Sequence, residues 1–149
     1  MNNVNYQKEL EKKLDTIVKS VESGASVPTL LLHSCCAPCS SYCISYLSNY
    51  FKITVFYYNP NITERDEYMR RAEEQKRFIS EYKTKYPVSF FDGGYDDKMF
   101  FEAVRGMEKC PEGGDRCEVC FRMRLKEAAS LAKELNMDYF TTTLTISPM

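Results

Sequence analysis

Two hydrophobic periods alternate along the chain. Between Tyr6 and Glu22, Leu10, Leu14, Ile17, Val18 and Val21 recur at helical spacing among Lys and Glu residues. That spacing predicts an amphipathic helix lying on an apolar surface. Ser23-Gly24-Ala25-Ser26 breaks it, and the continuous run Thr29-Leu30-Leu31-Leu32-His33 predicts a strand buried on both faces. Pro38 suits a first helical turn, and Tyr42, Tyr46 and Leu47 follow it at helical spacing. The β-branched and aromatic stretch from Lys52 to Tyr58 predicts a second strand, ended by Asn59-Pro60-Asn61. A charged helix is expected from Glu64 to Tyr82, with Tyr68, Ala72, Ile79 and Tyr82 on its buried side. Pro87 to Phe91 predicts a third strand, closed by Gly93-Gly94. A short helix from Asp97 to about Met107 and a polar turn from Pro111 to Asp115 come next. Phe121, Leu125, Ala128, Ala129, Ala132 and Leu135 then form a helical stripe, and Tyr139 to Ile146 predicts the last strand.

Strand and helix in strict alternation predict an α/β fold: a parallel sheet of about four strands with helices on both faces, plus an N-terminal helix. The chain divides into an N-terminal helical extension, 1–28, and an α/β domain, 29–149. In open parallel sheets, ligands bind beyond the carboxyl ends of the strands. The first strand runs straight into a group of cysteines there, which makes that end the functional edge.

Composition narrows the class. With 149 residues, one domain is expected. Twenty Lys and Arg against 21 Asp and Glu leave a net charge of −1, which excludes a strongly basic nucleic-acid grip and a polybasic membrane anchor. No apolar run approaches the ~20 residues of a membrane span, and the N-terminus lacks a signal-peptide pattern. The expected location is the cytoplasm, with no membrane partner. In that reducing setting, seven cysteines are a signal for metal or redox chemistry rather than for a disulfide framework.

Six of those seven cluster, at positions 35, 36, 39, 43, 117 and 120, and Cys110 stands apart. Cys36-Ala37-Pro38-Cys39 is a C-x-x-C at a strand-to-helix turn, and Cys117-Glu118-Val119-Cys120 is a second at the start of a long helix. Each pair pre-forms half of a four-thiolate shell, and a helix N-terminus favours the thiolate that binds metal. Three readings follow from the residues alone. One is a structural zinc knuckle in a non-catalytic structural or RNA-binding module. Another is a thiol oxidoreductase using Cys36 and Cys39, which leaves Cys117 and Cys120 without a role. The third is an iron–sulfur cluster, which the adjacent pair Cys35-Cys36 and the surplus of thiols favour.

The stretch Leu31-Leu32-His33-Ser34-Cys35-Cys36-Ala37-Pro38-Cys39-Ser40 resembles the opening motif of the QueH epoxyqueuosine reductases. Tyr58-Asn59-Pro60-Asn61-Ile62, Glu67-Tyr68, Arg71, Tyr95-Asp96, Glu112 to Cys120, Arg124-Leu125 and Thr141 to Pro148 continue the series in order. The resemblance implies a Rossmann-like sheet of the adenine nucleotide alpha hydrolase type. It also implies a 4Fe-4S cluster on Cys35, Cys36, Cys117 and Cys120, with Cys39 beside it as a catalytic thiol or a ligand to one additional iron. The implied reaction is reduction of the epoxide of epoxyqueuosine at the tRNA wobble position to queuosine, the last step of queuosine biosynthesis. Its partners would be that tRNA and an electron donor. On this reading 29–149 is the iron–sulfur domain, expected to be shortened at its C-terminal end, where the family continues into a further cysteine pair.

Asp96, Asp115, His33 and Tyr58 are the candidate acids for the departing epoxide oxygen, with Asp96 and Asp115 taken as the catalytic ones. His33, Tyr58, Asn59, Asn61, Arg71, Arg116 and Arg124 are the expected substrate or tRNA contacts, with Arg116, Arg122 and Arg124 placed for phosphate. As a single strand-end histidine, His33 also fits a packing or hydrogen-bonding role beside the cluster. The basic residues of the 64–82 helix alternate with Glu and predict a solvated face of ion pairs. Cys43 is expected to pack as a small apolar residue. Nucleotide hydrolysis is excluded, because Ser34-Cys35-Cys36-Ala37-Pro38-Cys39 lacks a glycine to wrap a phosphate.

Overall fold

In a computed structural model, residues 5–34, 37–59, 62, 64–94, 98, 102, 105–106 and 115–143 are described, the side chains of 39 and 115–117 excepted. The elements are α1 (Tyr6–Glu22), β1 (Thr29–Ser34), α2 (Ala37–Leu47), β2 (Lys52–Tyr57), α3 (Arg65–Glu81), β3 (Val88–Asp92), α4 (Asp115–Glu134) and β4 (Tyr139–Thr142). The strands pair in parallel in the order β3-β2-β1-β4. Register sets Leu30 opposite Ile53 and Tyr139, and His33 opposite Phe56 and Thr142.

Local chemistry explains the ends of α1. The Asn5 side chain caps the Lys8 N–H at 3.1 Å. Past Ser23, Gly24 takes φ +103°, a left-handed turn that stops the helix. Neighbouring strand residues point to opposite faces, and both faces are covered. Leu30, Leu32, Ile53 and Val55 pack with Leu14 and Ile17 of α1, Ile44 of α2 and Phe51. On the opposite face Leu31, Phe56 and Tyr58 pack with Ala128 and Ala132 of α4. Each such buried side chain contributes roughly 1.5–3 kcal/mol. Leu14 and Ile17 thus share one core with the sheet.

Several faces differ from expectation. Tyr42 is 70% exposed, while Ser40, Ile44 and Ser48 face the core. Helical spacing groups residues on one side, and packing decides which side meets the sheet. On α3, Tyr68, Ala72 and Gln75 are buried, whereas Tyr82 is 38% exposed, its hydroxyl donating to Ser45 at 2.7 Å. On α4, Ala128 and Ala132 meet the sheet and Leu135 lies past the helix end, 40% exposed. Cys43 does pack against the core, and burial raises its thiol pKa. The expected ion pairs on α3 form between Glu67 and both Arg70 and Arg71, Glu73 and Lys76, and Glu81 and Arg77. The helix expected from Asp97, the turn at 111–114, Cys110 and the end of the last strand lie outside the described residues. Among the described residues no helix is long and apolar enough to cross a membrane.

Candidate functional site

The strand order reverses at β1: β2 and β3 extend to one side and β4 lies on the other. In open parallel sheets a ligand crevice belongs where the two directions part, which here is at the carboxyl ends of β1 and β4. The Thr143 N–H donates to the His33 carbonyl at 3.0 Å and carries the β1–β4 pairing to this end.

His33 ties the strand ends together. Its ring is fully buried, with Nε2 2.7 Å from the Tyr58 carbonyl and Nδ1 3.0 Å from the Thr142 hydroxyl. A carbonyl oxygen only accepts, so Nε2 carries the proton and Nδ1 accepts from Thr142. The imidazole is neutral: burial lowers its pKa to about 4, with the Tyr58 carbonyl opposing and repulsion from Arg124 adding to the drop. The Tyr58 ring stacks on Phe56 at 5.6 Å, with the planes 1° apart.

On the opposite face of β1, the Ser34 and Ser40 hydroxyls donate to Oε1 of Gln75 at 2.6 and 3.0 Å. All three residues are fully buried. Asn59, also buried, donates through Nδ2 to the Ser34 carbonyl at 3.0 Å. The buried Oδ1 of Asn59 and Nε2 of Gln75 have no hydrogen-bond partner. Ser34 and Ser40 bracket the stretch 35–39, so the Gln75 carboxamide lies where that stretch leaves the strand and enters the helix.

Register places α4. Ala128 packs on Leu31, and the Arg124 guanidinium acts on His33. Four residues of helix span ~6 Å and two residues of strand ~6.6 Å. One further turn toward the start of α4 reaches Cys120, at the level where the chain leaves β1. Cys120 is buried, and the Arg124 Nε–H donates to its carbonyl at 3.4 Å.

Of the expected site residues, His33, Tyr58, Asn59, Cys120 and Arg124 thus gather at the carboxyl end of β1. His33 is occupied at both nitrogens and turned inward, so its place here is structural, holding β1, β2 and β4 in line. Arg71 sits one turn before Gln75 on α3, held by Glu67 at 2.7 Å. That bond, ahead of the neighbouring positive charges, lowers the Glu67 pKa. Arg122 pairs with Glu118 at 2.6 Å. Cys35, Cys36, Asn61 and Asp96, and the side chains of Cys39, Asp115, Arg116 and Cys117, lie outside the described residues. Among the described residues no group of three His, Cys, Asp or Glu side chains is placed to hold a metal ion.

A family model described as epoxyqueuosine reductase QueH matches residues 30–149. The chain belongs to the epoxyqueuosine reductase QueH family. A QueH protein of Streptococcus pyogenes serotype M1 is 43% identical over 148 residues, covering 98% of this chain and 58% of that protein. One from Staphylococcus epidermidis is 40% identical over 149 residues, covering 97% and 61%. One from Haemophilus influenzae is 43% identical over 119 residues, covering 79% and 47%. The chain spans about 60% of the length of the two relatives it matches throughout.

Sequence reasoning missed Ser34, Ser40, Gln75 and Thr142. One signal was available for Gln75: it follows Tyr68 and Ala72 at core spacing on α3, and a polar residue at a core position is the informative exception. Nothing local marks the serines or Thr142, whose roles depend on partners far along the chain.

Proposed function

We propose that this chain reduces the epoxide of epoxyqueuosine at the tRNA wobble position to queuosine, in the crevice at the carboxyl ends of β1 and β4. The observation that carries this reading is the arrival of Cys120, on α4, at the level where β1 runs into 35–39. Cys120 closes one C-x-x-C segment, and the other, Cys36 to Cys39, follows β1 in the sequence 81 positions earlier. The relatives that bear the name epoxyqueuosine reductase support the choice of reaction.

Removing the epoxide oxygen as water, with the carbon–carbon double bond left behind, takes up two electrons and two protons. A 4Fe-4S cluster held by Cys35, Cys36, Cys117 and Cys120, with Cys39 as ligand to one further iron, would supply the electrons when bound. The donor chemistry fits such a group, since soft thiolates at a helix N-terminus and a strand end are what iron–sulfur clusters take. This chain provides a rigid wall at that end: the neutral His33 pinned between Tyr58 and Thr142, and the Ser34–Gln75–Ser40 network joining the end of β1 to α2 and α3. Asp96 and Asp115 are our choice for delivering the protons. Arg116 and Arg124 suit the tRNA phosphates, with Tyr58, Asn59, Asn61 and Arg71 toward the nucleoside.

Anaerobic purification with iron, sulfide and zinc analysis tests the reading on the wild type, Cys117→Ala and Cys120→Ala. About four iron and four sulfide per chain, lost in both variants, is the expected result. Turnover is then measured on tRNA bearing epoxyqueuosine. A colourless protein with about one zinc and no cluster after anaerobic reconstitution would overturn it in favour of a structural zinc site.

A further inference from the structure

The outer side of α2 carries no charge. From Ser34 to Phe51 the chain has no Lys, Arg, Asp or Glu, although such residues make up 28% of the whole. Pro38, Tyr42 and Tyr46 recur at intervals of four and so form one ridge along the helix. Pro38 and Tyr42 are exposed, Tyr42 at 70%, and Tyr46 is partly buried. The Tyr42 and Tyr46 rings stack with centroids 6.1 Å apart and planes 11° from parallel. Tyr50 supports Tyr46 in turn, its centroid 5.9 Å away, so Tyr42 offers a flat face held from behind. Exposed tyrosine without neighbouring charge is the composition of the centre of a binding surface.

Place and size select the occupant. The ridge starts at Pro38, which lies between Cys36 and Cys39 in the sequence and about one helical turn (~5.4 Å) before Tyr42. The face therefore runs on from the strand end to which the reaction is assigned. A net charge of −1 leaves little grip on phosphates, so the bases of an RNA must supply more of the binding. Every base has a flat face that stacks on an aromatic ring. Two rings of roughly 150–250 Å² each suit one or two bases and fall short of the ~800 Å² per partner of a stable protein interface.

We propose that Tyr42 is the stacking platform for an unpaired anticodon-loop nucleotide next to the wobble position, with Tyr46 fixing its ring. Stacking that nucleotide holds the loop open beside the carboxyl end of β1. This role rests on the reading of tRNA as the substrate.

The test compares the full chain, reconstituted anaerobically, as wild type, Tyr42→Phe and Tyr42→Ala. The probe is an anticodon stem–loop bearing epoxyqueuosine, with fluorescent 2-aminopurine placed at each neighbouring loop position in turn. Wild type and Tyr42→Phe should bind alike and quench the 2-aminopurine at one position. Tyr42→Ala should bind about tenfold more weakly, as for a lost base–aromatic stack, and leave the probe bright. Its KM should rise by the same factor with kcat within twofold of wild type, the mark of uniform binding. Affinity and quenching within twofold of wild type in Tyr42→Ala would overturn the proposal, while turnover by the wild type upheld the reductase reading. Tyr42-dependent binding without reduction would remove that reading and keep the platform. No binding of the stem–loop, or equal binding of a duplex of the stem alone, removes the platform, since turnover on whole tRNA judges the reductase reading separately. A dimer in sedimentation that Tyr42→Ala dissolves would give the face to a second copy of the chain and overturn the proposal as well.

Discussion

The neutral His33 makes the stability of this fold depend on pH between about 4 and 6.5. The chain has a single histidine. Buried among strand ends, it keeps a pKa of about 4, against 6.5 in the unfolded chain. Between these values the unfolded chain binds a proton that the native one refuses, so unfolding takes up a proton and stability falls as pH falls. The full difference of about 2.5 units corresponds to about 3 kcal/mol, reached only near pH 4. Integrated between pH 7 and pH 5, the loss is about 2 kcal/mol. Carboxylates titrate mainly below this window and thiols above it, so the slope reports on His33. Urea unfolding of metal-free wild type and His33→Gln at both pH values measures it. The variant should be less stable at pH 7, because it breaks the Tyr58 and Thr142 bonds, yet nearly flat between the two. A wild-type slope equal to that of the variant, or a native His33 titration by NMR near 6.5, would refute the reasoning.

Other positions give independent checks. A Cβ at Gly93 would meet Phe56 Cε1 at 2.8 Å and the Tyr57 carbonyl oxygen at 3.0 Å, while the Gly93 N–H is fixed to that same oxygen at 2.8 Å. Gly93→Ala should therefore cost about 1–3 kcal/mol, read as a lowered urea midpoint. The Tyr68 hydroxyl, its pKa raised by burial and then by Asp92, donates to Asp92 at 2.6 Å and holds the turn after β3. Because Asp92 retains the Gly94 N–H, Tyr68→Phe should cost about 1–3 kcal/mol in chemical denaturation. Tyr42→Ala should cost no more than about 1 kcal/mol, since that ring stacks on Tyr46 in the open. Ile44→Ala, two residues on, should cost about 2–5 kcal/mol in the same urea titrations.

The contrast between Tyr42 and Ile44 separates what the sequence determined from what the assembled fold decided. Leu30 to Leu32 with β-branched and aromatic Ile53 to Tyr57 required strands covered on both faces, and the amphipathic stretches between them required helices. Parallel strands so connected expose their carboxyl ends at one edge, so the cysteine stretch after β1 was placed there by local chemistry alone. Which side of α2 met the sheet was not legible, because helical period groups residues without ranking one apolar side against another, and Ile44 entered the core while Tyr42 stayed outside and Tyr46 packed only at its margin. Strand order was likewise nonlocal: β4 pairs with β1 across more than a hundred residues, and only that pairing sets the reversal of strand order at β1 and brings Thr142 to His33. Ser34 and Ser40 carry no local signal of burial, and Gln75 only its spacing after Tyr68 and Ala72 on α3. Their burial is tolerable only because the folded chain brings the three together, with Gln75 35 residues from Ser40 and 41 from Ser34. A hydrogen bond between distant side chains exists only after the sheet has formed, so the sequence marked the cysteines as candidates while only the tertiary structure assembled the buried network around Gln75.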